Sequence, residues 1–325
     1  MLATHLFCRY LKVNTWIMNK ISYIVPALLV AGCLLSCNEN QQIITFPEPP
    51  RAEGTTDVLE LRCEPLDTVR IAFIGLGMRG SGAVYRYTFL EGVKVVALCD
   101  VDPENVENAN KTLEERGFPK AEVYTGTEDW KRVCERADVD LVYVCTHWDL
   151  HAPIGVYAME HGKHVALEVP AALTIGECWQ LVNTAEKTRR HCIQLENCNY
   201  DFFEMATLNM ARQGLFGQIV HAEGAYIHDL MFLNFNDTTG YWNMWRLEHN
   251  ARENGNLYPT HGLGPIAHIL DIHRGDRMEY LVSVSSAQFG MSAYAKEKFG
   301  EDSDYAQREY LNGDMNTSVI KTSKG

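Results

Sequence analysis

Residues 69–100, VRIAFIGLGMRGSGAVYRYTFLEGVKVVALCD, constrain the fold of this chain more than any other stretch. They read as a buried strand, a tight glycine turn, a helix and a second strand that ends on an acid. Gly75, Gly77 and Gly80 form G-x-G-x-x-G directly after the apolar run Val69–Ile74. The first glycine suits the turn, the second lets a pyrophosphate approach the backbone, and the third lets helix pack on strand. The helix opening behind them offers unpaired N–H groups and a positive dipole end to phosphate. Asp100 ends the run Val93–Cys99, about 20 residues beyond the last glycine, where a ribose-binding carboxylate belongs. A carboxylate there accepts from ribose hydroxyls and repels a 2′-phosphate, so NAD is the expected cofactor. A bare glycine turn is weak evidence; strand, helix and acid in order make it specific.

From Thr68 strands and helices alternate. Strands are expected at 141–146, 164–167 and 191–195, and helices at 153–161 (closed by Gly162) and 175–189. Such alternation implies a parallel, doubly wound α/β sheet, a Rossmann domain over residues 67–197. The pattern changes after Asn197. A helix at 201–212 stops at Gly214 and Gly217, and longer strands are expected at 219–228 and 280–289, with a loop-rich stretch at 230–258. Residues 198–325 are therefore read as a C-terminal α+β substrate domain with a mixed or antiparallel sheet. Residues 317–322 form a last strand candidate whose hairpin mate is expected beyond Gly325, so this domain is expected to be incomplete.

The first 37 residues read as a leader. Met18-Asn19-Lys20 precedes an apolar run at 21–35, followed by Ser36-Cys37. The run is short for a spanning helix and resembles a bacterial lipoprotein signal, with Met18 as the expected start and Cys37 as the lipidated residue. A simple membrane anchor is the alternative. Residues 38–66 are polar, carry Pro47, Pro49 and Pro50, and read as a tether. A net charge of −13 with no basic stripe argues against nucleic acid and suits a soluble surface. The ten cysteines include no C-x-x-C, and Cys99 and Cys145 sit in apolar strands. No disulfide framework is expected, although a Cys192–Cys198 bridge stays open. His147 and His151 have i,i+4 spacing, but at a strand-to-loop junction without a following glutamate, so no metal is expected there; His261 and His268 are no better supported.

Further motifs, Val144 to His151 (VCTHWDLH), Gly162-Lys163-His164-Val165 and Glu168-Val169-Pro170, resemble the glucose–fructose oxidoreductase/inositol dehydrogenase superfamily. Dehydrogenases of that superfamily usually carry Glu-Lys-Pro, and Val169 replaces the lysine that assists proton transfer. A closer resemblance is to glycoside hydrolase family 109, characterised on α-N-acetylgalactosaminides. It rests on IAFIGLGMRG, the Glu-Val-Pro form, Gln194-Leu195-Glu196-Asn197, LNMARQGLFG, residues 224–230 (GAYIHDL), Trp245-Arg246 and residues 254–262 (NGNLYPTHG). The family's later strands, final helices and a later sugar-side tyrosine have no counterpart in this chain.

The resemblance implies NAD contacts at Gly75, Gly77, Met78, Arg79, Gly80, Asp100, Trp148, Asp149, Leu150, His151, Glu168, Val169 and Asn197. For Arg79 a solvated helix-start cation is an equal reading. It places the sugar at Tyr226, Arg246, Tyr258, Pro259, Thr260 and His261, with His261 and Tyr258 handling protons. Tyrosine and histidine exchange protons, and an arginine holds hydroxyl or acyl oxygens. The implied reaction oxidises sugar C3, eliminates the C1 group across C1–C2, adds water and re-reduces C3. Paired carboxylates of ordinary glycoside hydrolysis are not apparent. The alternatives are an exported sugar oxidoreductase and a non-catalytic dinucleotide- or sugar-binding fragment. Expected partners are a glycan ending in an amino sugar, the membrane through the lipid on Cys37, and a second copy in a homo-oligomer. The expected location is the periplasmic or cell-surface side of a membrane.

Overall fold

Strand β1 (Val69–Ile74) lies at the centre of a six-stranded parallel sheet in the computed structural model, which describes residues 43–238 and 240–325. The expected leader and the lipidation of Cys37 lie outside the described residues. Residues 43–50 carry no helix or strand, and residues 51–325 form a compact unit of their own. The chain runs through α1 (Met78–Tyr87), β2 (Val93–Cys99), α2 (Pro103–Glu115), β3 (Glu122–Tyr124), α3 (Asp129–Glu135) and β4 (Leu141–Val144). It continues through α4 (His151–Glu160), β5 (His164–Leu167), α5 (Ile175–Thr188) and β6 (Cys192–Gln194). The sheet order is β3-β2-β1-β4-β5-β6. The direction of winding reverses between β1 and β4, so their carboxyl ends flank the crevice where doubly wound sheets bind ligands.

The central strands are continuously apolar because helices cover both faces. Ile71, Ala72, Phe73 and Ile74 are all buried, the two alternating sets feeding separate cores on either side of the sheet. Each fully buried Ile, Leu or Phe contributes roughly 1.5–3 kcal/mol. Local signals agree with this packing. Asp102 caps α2 by accepting from Glu104 N–H, with Pro103 opening the helix. Thr174 and Glu177 form a reciprocal capping box at the start of α5. Residues 148–150 form a 3₁₀ turn and His151 opens α4, so the segment read as a loop is helical. His151 Nδ1 lies 2.7 Å from Pro170 O and Nε2 lies 3.0 Å from Thr146 O, which makes this histidine a brace between two strand ends. Burial holds its pKa below the usual value.

The second domain begins with α6 (Phe202–Arg212), then α7 (Met231–Asn234), α8 (Trp245–Arg252) and α9 (Thr260–Ile269). Strand β7 (Met278–Ser285), α10 (Gly290–Phe299), α11 (Asp304–Gln307) and β8 (Asn316–Thr322) complete it. Phe235, Leu247, Met291, Ala295 and Tyr310 form its own core. Two expectations need correction. Residues 219–228 are not a strand: among the described residues the only ladder here is β7 with β8, and Val220 and Ile227 are largely exposed. Apolar and aromatic content marks a segment that can pair, but a strand also needs a neighbour. Residues 317–322 do have a mate, because β8 pairs antiparallel with β7 along its length. No helix among the described residues is long and apolar enough to cross a membrane.

Candidate functional site

The glycine turn is built as close contact requires. Gly75 has φ +89°, and a Cβ there would lie 2.4 Å from Cys145 O. A Cβ on Gly80 would lie 2.0 Å from Gly75 O, so only glycine lets α1 start this close to the sheet. Gly77, at the helix N-cap, faces open space. Asp100 stands at the end of β2 with both oxygens held. Leu76 N–H donates to Oδ2 at 2.5 Å, and Asp102 N–H donates to Oδ1 at 2.9 Å. This carboxylate is therefore fixed at the lip of the turn. The cradle, the helix N-terminus and the acid fit the phosphates and ribose of a dinucleotide.

The far side of the crevice is closed by an ion pair. Glu168, 7% exposed at the end of β5, accepts from Tyr143 OH at 2.5 Å and from Arg79 Nε at 3.1 Å. Arg79 also donates to Asn197 Oδ1 at 3.3 Å. It thus bridges two strand ends while its side chain stays about half exposed. Burial pushes the Tyr143 hydroxyl well above its usual pKa, with Glu168 adding to the effect, so it stays a donor.

Trp148 joins this crevice to the second domain. Its indole is almost fully buried, stacked on Tyr258 at 5.7 Å and packed against Trp245 and His249. Arg246, from α8, lies 4.9 Å from the Trp148 ring centre and 4.7 Å from that of Tyr258, and donates to Tyr241 OH at 2.7 Å. Asp149 approaches His249 Nε2 at 3.6 Å, while Glu253 lies 2.8 Å from the other nitrogen.

Tyr226, Tyr258 and His261 form a triangle of rings with centroids 4.9 to 5.3 Å apart. His261 sits in the first turn of α9, behind Pro259 at its N-cap and Thr260. Tyr258 OH donates to Val169 O at 3.2 Å, tying the ring to the end of β5. Burial raises the Tyr258 pKa well above its usual value, and Glu168 raises it further against Arg246. Tyr226 is raised for the same first reason. His261 Nδ1 lies 2.6 Å from Glu196 Oε1.

The expected residues thus gather in one place: Gly75 to Gly80, Asp100, Glu168, Val169 and Asn197 on the sheet side, and Tyr226, Arg246, Tyr258 and His261 opposite. Three further residues take part. Tyr143 and Tyr241 are second partners whose roles need tertiary contacts to be seen. Glu196 carried a signal, being next to Asn197 just past a strand's carboxyl end. Glu196, Cys198 and His261 also place metal-type donor atoms within 4.8 Å of one another. The 2.6 Å separation is a hydrogen bond, however; two ligands on one tetrahedral metal at ~2.0–2.3 Å stand about 3.3 Å apart. Burial and neighbouring Glu196 push the Cys198 thiol up to about 11. Cys192 and Cys198 are free thiols, not a bridge.

Comparison with known proteins agrees with both halves. The family model described as the oxidoreductase family, NAD-binding Rossmann fold, matches residues 69–195. That of the glycosyl hydrolase 109 C-terminal domain matches residues 200–325. The two matches together run from residue 69 to residue 325, and the second half is similar to the glycosyl hydrolase 109 C-terminal domain. An alpha-N-acetylgalactosaminidase of Bacteroides fragilis is 57% identical over 277 residues, covering 85% of this chain and 65% of that protein. A glycosyl hydrolase family 109 protein of Porphyromonas gingivalis is 54% identical over 284 residues, covering 87% and 59%. The chain therefore spans about 60–65% of the length of these relatives. Among solved structures, the myo-inositol dehydrogenase of Lactobacillus casei in complex with NAD(H) and myo-inositol matches with TM-score 0.56 at 19% identity, covering 79% and 65%. An oxidoreductase domain protein from Kribbella flavida matches with TM-score 0.59 at 21%, covering 80% and 65%. At these identities the likeness is one of fold. The chain keeps that fold, with Val169 just past the end of β5.

Proposed function

We propose that this chain acts in NAD-dependent hydrolysis of α-N-acetylgalactosaminides. The observation that carries the reading is the joining of two sites. Glu196 and Asn197, adjacent in sequence, reach respectively to His261 on the sugar side and to Arg79 on the cofactor side. The name of the Bacteroides fragilis relative supports the substrate class.

NAD would be held by the Gly75–Gly80 turn, Asp100, Arg79, Glu168 and Asn197, with the 148–151 turn beside it. When bound, it supplies reversible hydride removal at sugar C3, and the C3 ketone acidifies C2 so that the C1 group is eliminated and water adds in its place. The chain's own residues bind and move protons. Arg246, held among Tyr241, Trp148 and Tyr258, presents a fixed donor fork to hydroxyl or acyl oxygens. Tyr258 stays protonated because burial disfavours its phenolate, so it acts as a hydrogen-bond donor. That leaves His261 to take the C3 hydroxyl proton and later return it. Replacing His261 by Ala should abolish release of a chromogenic aglycone while NAD still binds; unchanged turnover would sink the assignment.

Export belongs to the same proposal, with the mature chain anchored through lipid on Cys37, its sugar site outside the cytoplasm and its substrate a glycan ending in an amino sugar. Incorporation of a labelled fatty acid that disappears in Cys37→Ala would support this, and equal labelling of both would refute it.

A further inference from the structure

Glu196 is 4% exposed, and its two oxygens differ sharply. Oε1 lies 2.6 Å from His261 Nδ1 and accepts from Cys198 N–H at 3.0 Å. Oε2 is buried with no hydrogen-bond partner. A buried carboxylate with an unmatched oxygen runs against stability, and such arrangements persist where function holds them. The surrounding packing enforces it. Gly264, one turn along α9 from His261, has no side chain, and a Cβ there would lie 2.8 Å from Glu196 Cγ and 2.8 Å from Asn199 Oδ1. The helix carrying His261 is thereby pressed directly onto the Glu196 side chain.

We infer that Glu196 is a positioning residue for His261. The inference rests on the assignment of His261 as the proton-transfer residue. An ionised carboxylate only accepts, so Nδ1 of the imidazole carries the hydrogen and Nε2 keeps its lone pair. Nε2 is then the nitrogen that takes the substrate proton. When it does, the imidazolium forms beside a buried negative charge, in a site where water screens little. The groups facing His261 are Glu196 and Cys198 from the β6–α6 connection, with Tyr226 and Tyr258 on its other sides and Arg246 beyond them. Among these Glu196 is the hydrogen-bonded carboxylate, and it sets the tautomer.

Glu196→Gln separates this role from a structural one, because the side chain keeps its shape and loses its charge. Two readouts are taken on the full chain with NAD added: the pH dependence of kcat on a chromogenic α-N-acetylgalactosaminide, and the titration of His261 followed by NMR. In Glu196→Gln, His261 should titrate at least about one unit lower. The acid limb of the rate profile should move the same way, and kcat should fall at least a hundred-fold with KM within threefold. The thermal midpoint should stay level or rise, since an unmatched buried charge has gone. His261 titrating as in wild type would overturn the pairing whatever the activity. A shifted titration with unchanged kcat would overturn its role in turnover. A wild-type chain that releases no aglycone would count against the glycosidase reading, while the titration would still decide the pairing.

Discussion

Gly224→Ala tests how the sugar side is assembled. Residues 219–228 belong to no sheet, and their hold on the domain includes a backbone contact with α9. A Cβ on Gly224 would lie 2.3 Å from Gly262 O and 2.8 Å from Ile266 Cδ1. An ordinary contact is 3.4 Å, so the segment would have to retreat by about 1.1 Å from the helix bearing His261. Overpacking of this kind costs about 1–3 kcal/mol. Tyr226, two residues on, would move with the backbone and break the ring triangle with Tyr258 and His261. Misplacement by about 1 Å costs on the order of a hundred-fold in rate. Aglycone release per unit enzyme should fall by that factor, and the thermal midpoint by a few degrees. NAD affinity, read by quenching of tryptophan fluorescence, should be unchanged because the β1–α1 turn is untouched. Turnover within threefold of wild type and an unchanged midpoint would refute the packing argument. So would a parallel loss of NAD binding, which would show that the effect is not local.

Asp100→Ala removes a carboxylate that holds Leu76 N–H and is placed to accept from ribose; NAD affinity measured by titration should fall at least about tenfold. Arg246→Lys keeps the charge but loses the planar fork set among three rings, and KM for the glycoside should rise by about tenfold with NAD affinity unchanged. Asp140 accepts from Arg70 through Nε and Nη2, and this hydrogen bonding holds its carboxyl below the usual range. A depressed folded pKa contributes stability above the unfolded value of about 3.9 and loses it as pH falls through the folded value. Asp140→Asn should therefore melt lower than wild type at pH 7, with the gap closing as pH falls below about 4. A gap independent of pH would contradict this.

The sheet domain was legible because its signals are local. Gly75, Gly77, Gly80 and Asp100 sit on consecutive elements, and a parallel strand buried on both faces must be continuously apolar. The second domain was less so. Residues 219–228 read as a strand from their apolar and aromatic content, yet Gly224 rests on Gly262 of a helix, a contact that only the tertiary fold provides. The helical turn at 148–151 is set by the bonds of His151 to Thr146 and Pro170, the latter 19 residues away. Tyr226, Arg246, Tyr258 and His261 were found through the family's motifs. Glu196 lay inside one of those motifs, but its bond to His261 spans 65 residues and appears only when α9 docks.

Net hydrolysis on an oxidoreductase fold is what we propose for this chain. Its most direct test follows chromophore release from an α-N-acetylgalactosaminide and NADH absorbance together, with the chain and NAD in one cuvette. The account predicts many equivalents of chromophore per enzyme with no net accumulation of NADH. Stoichiometric NADH formation without release of chromophore would contradict it and make this chain a sugar dehydrogenase.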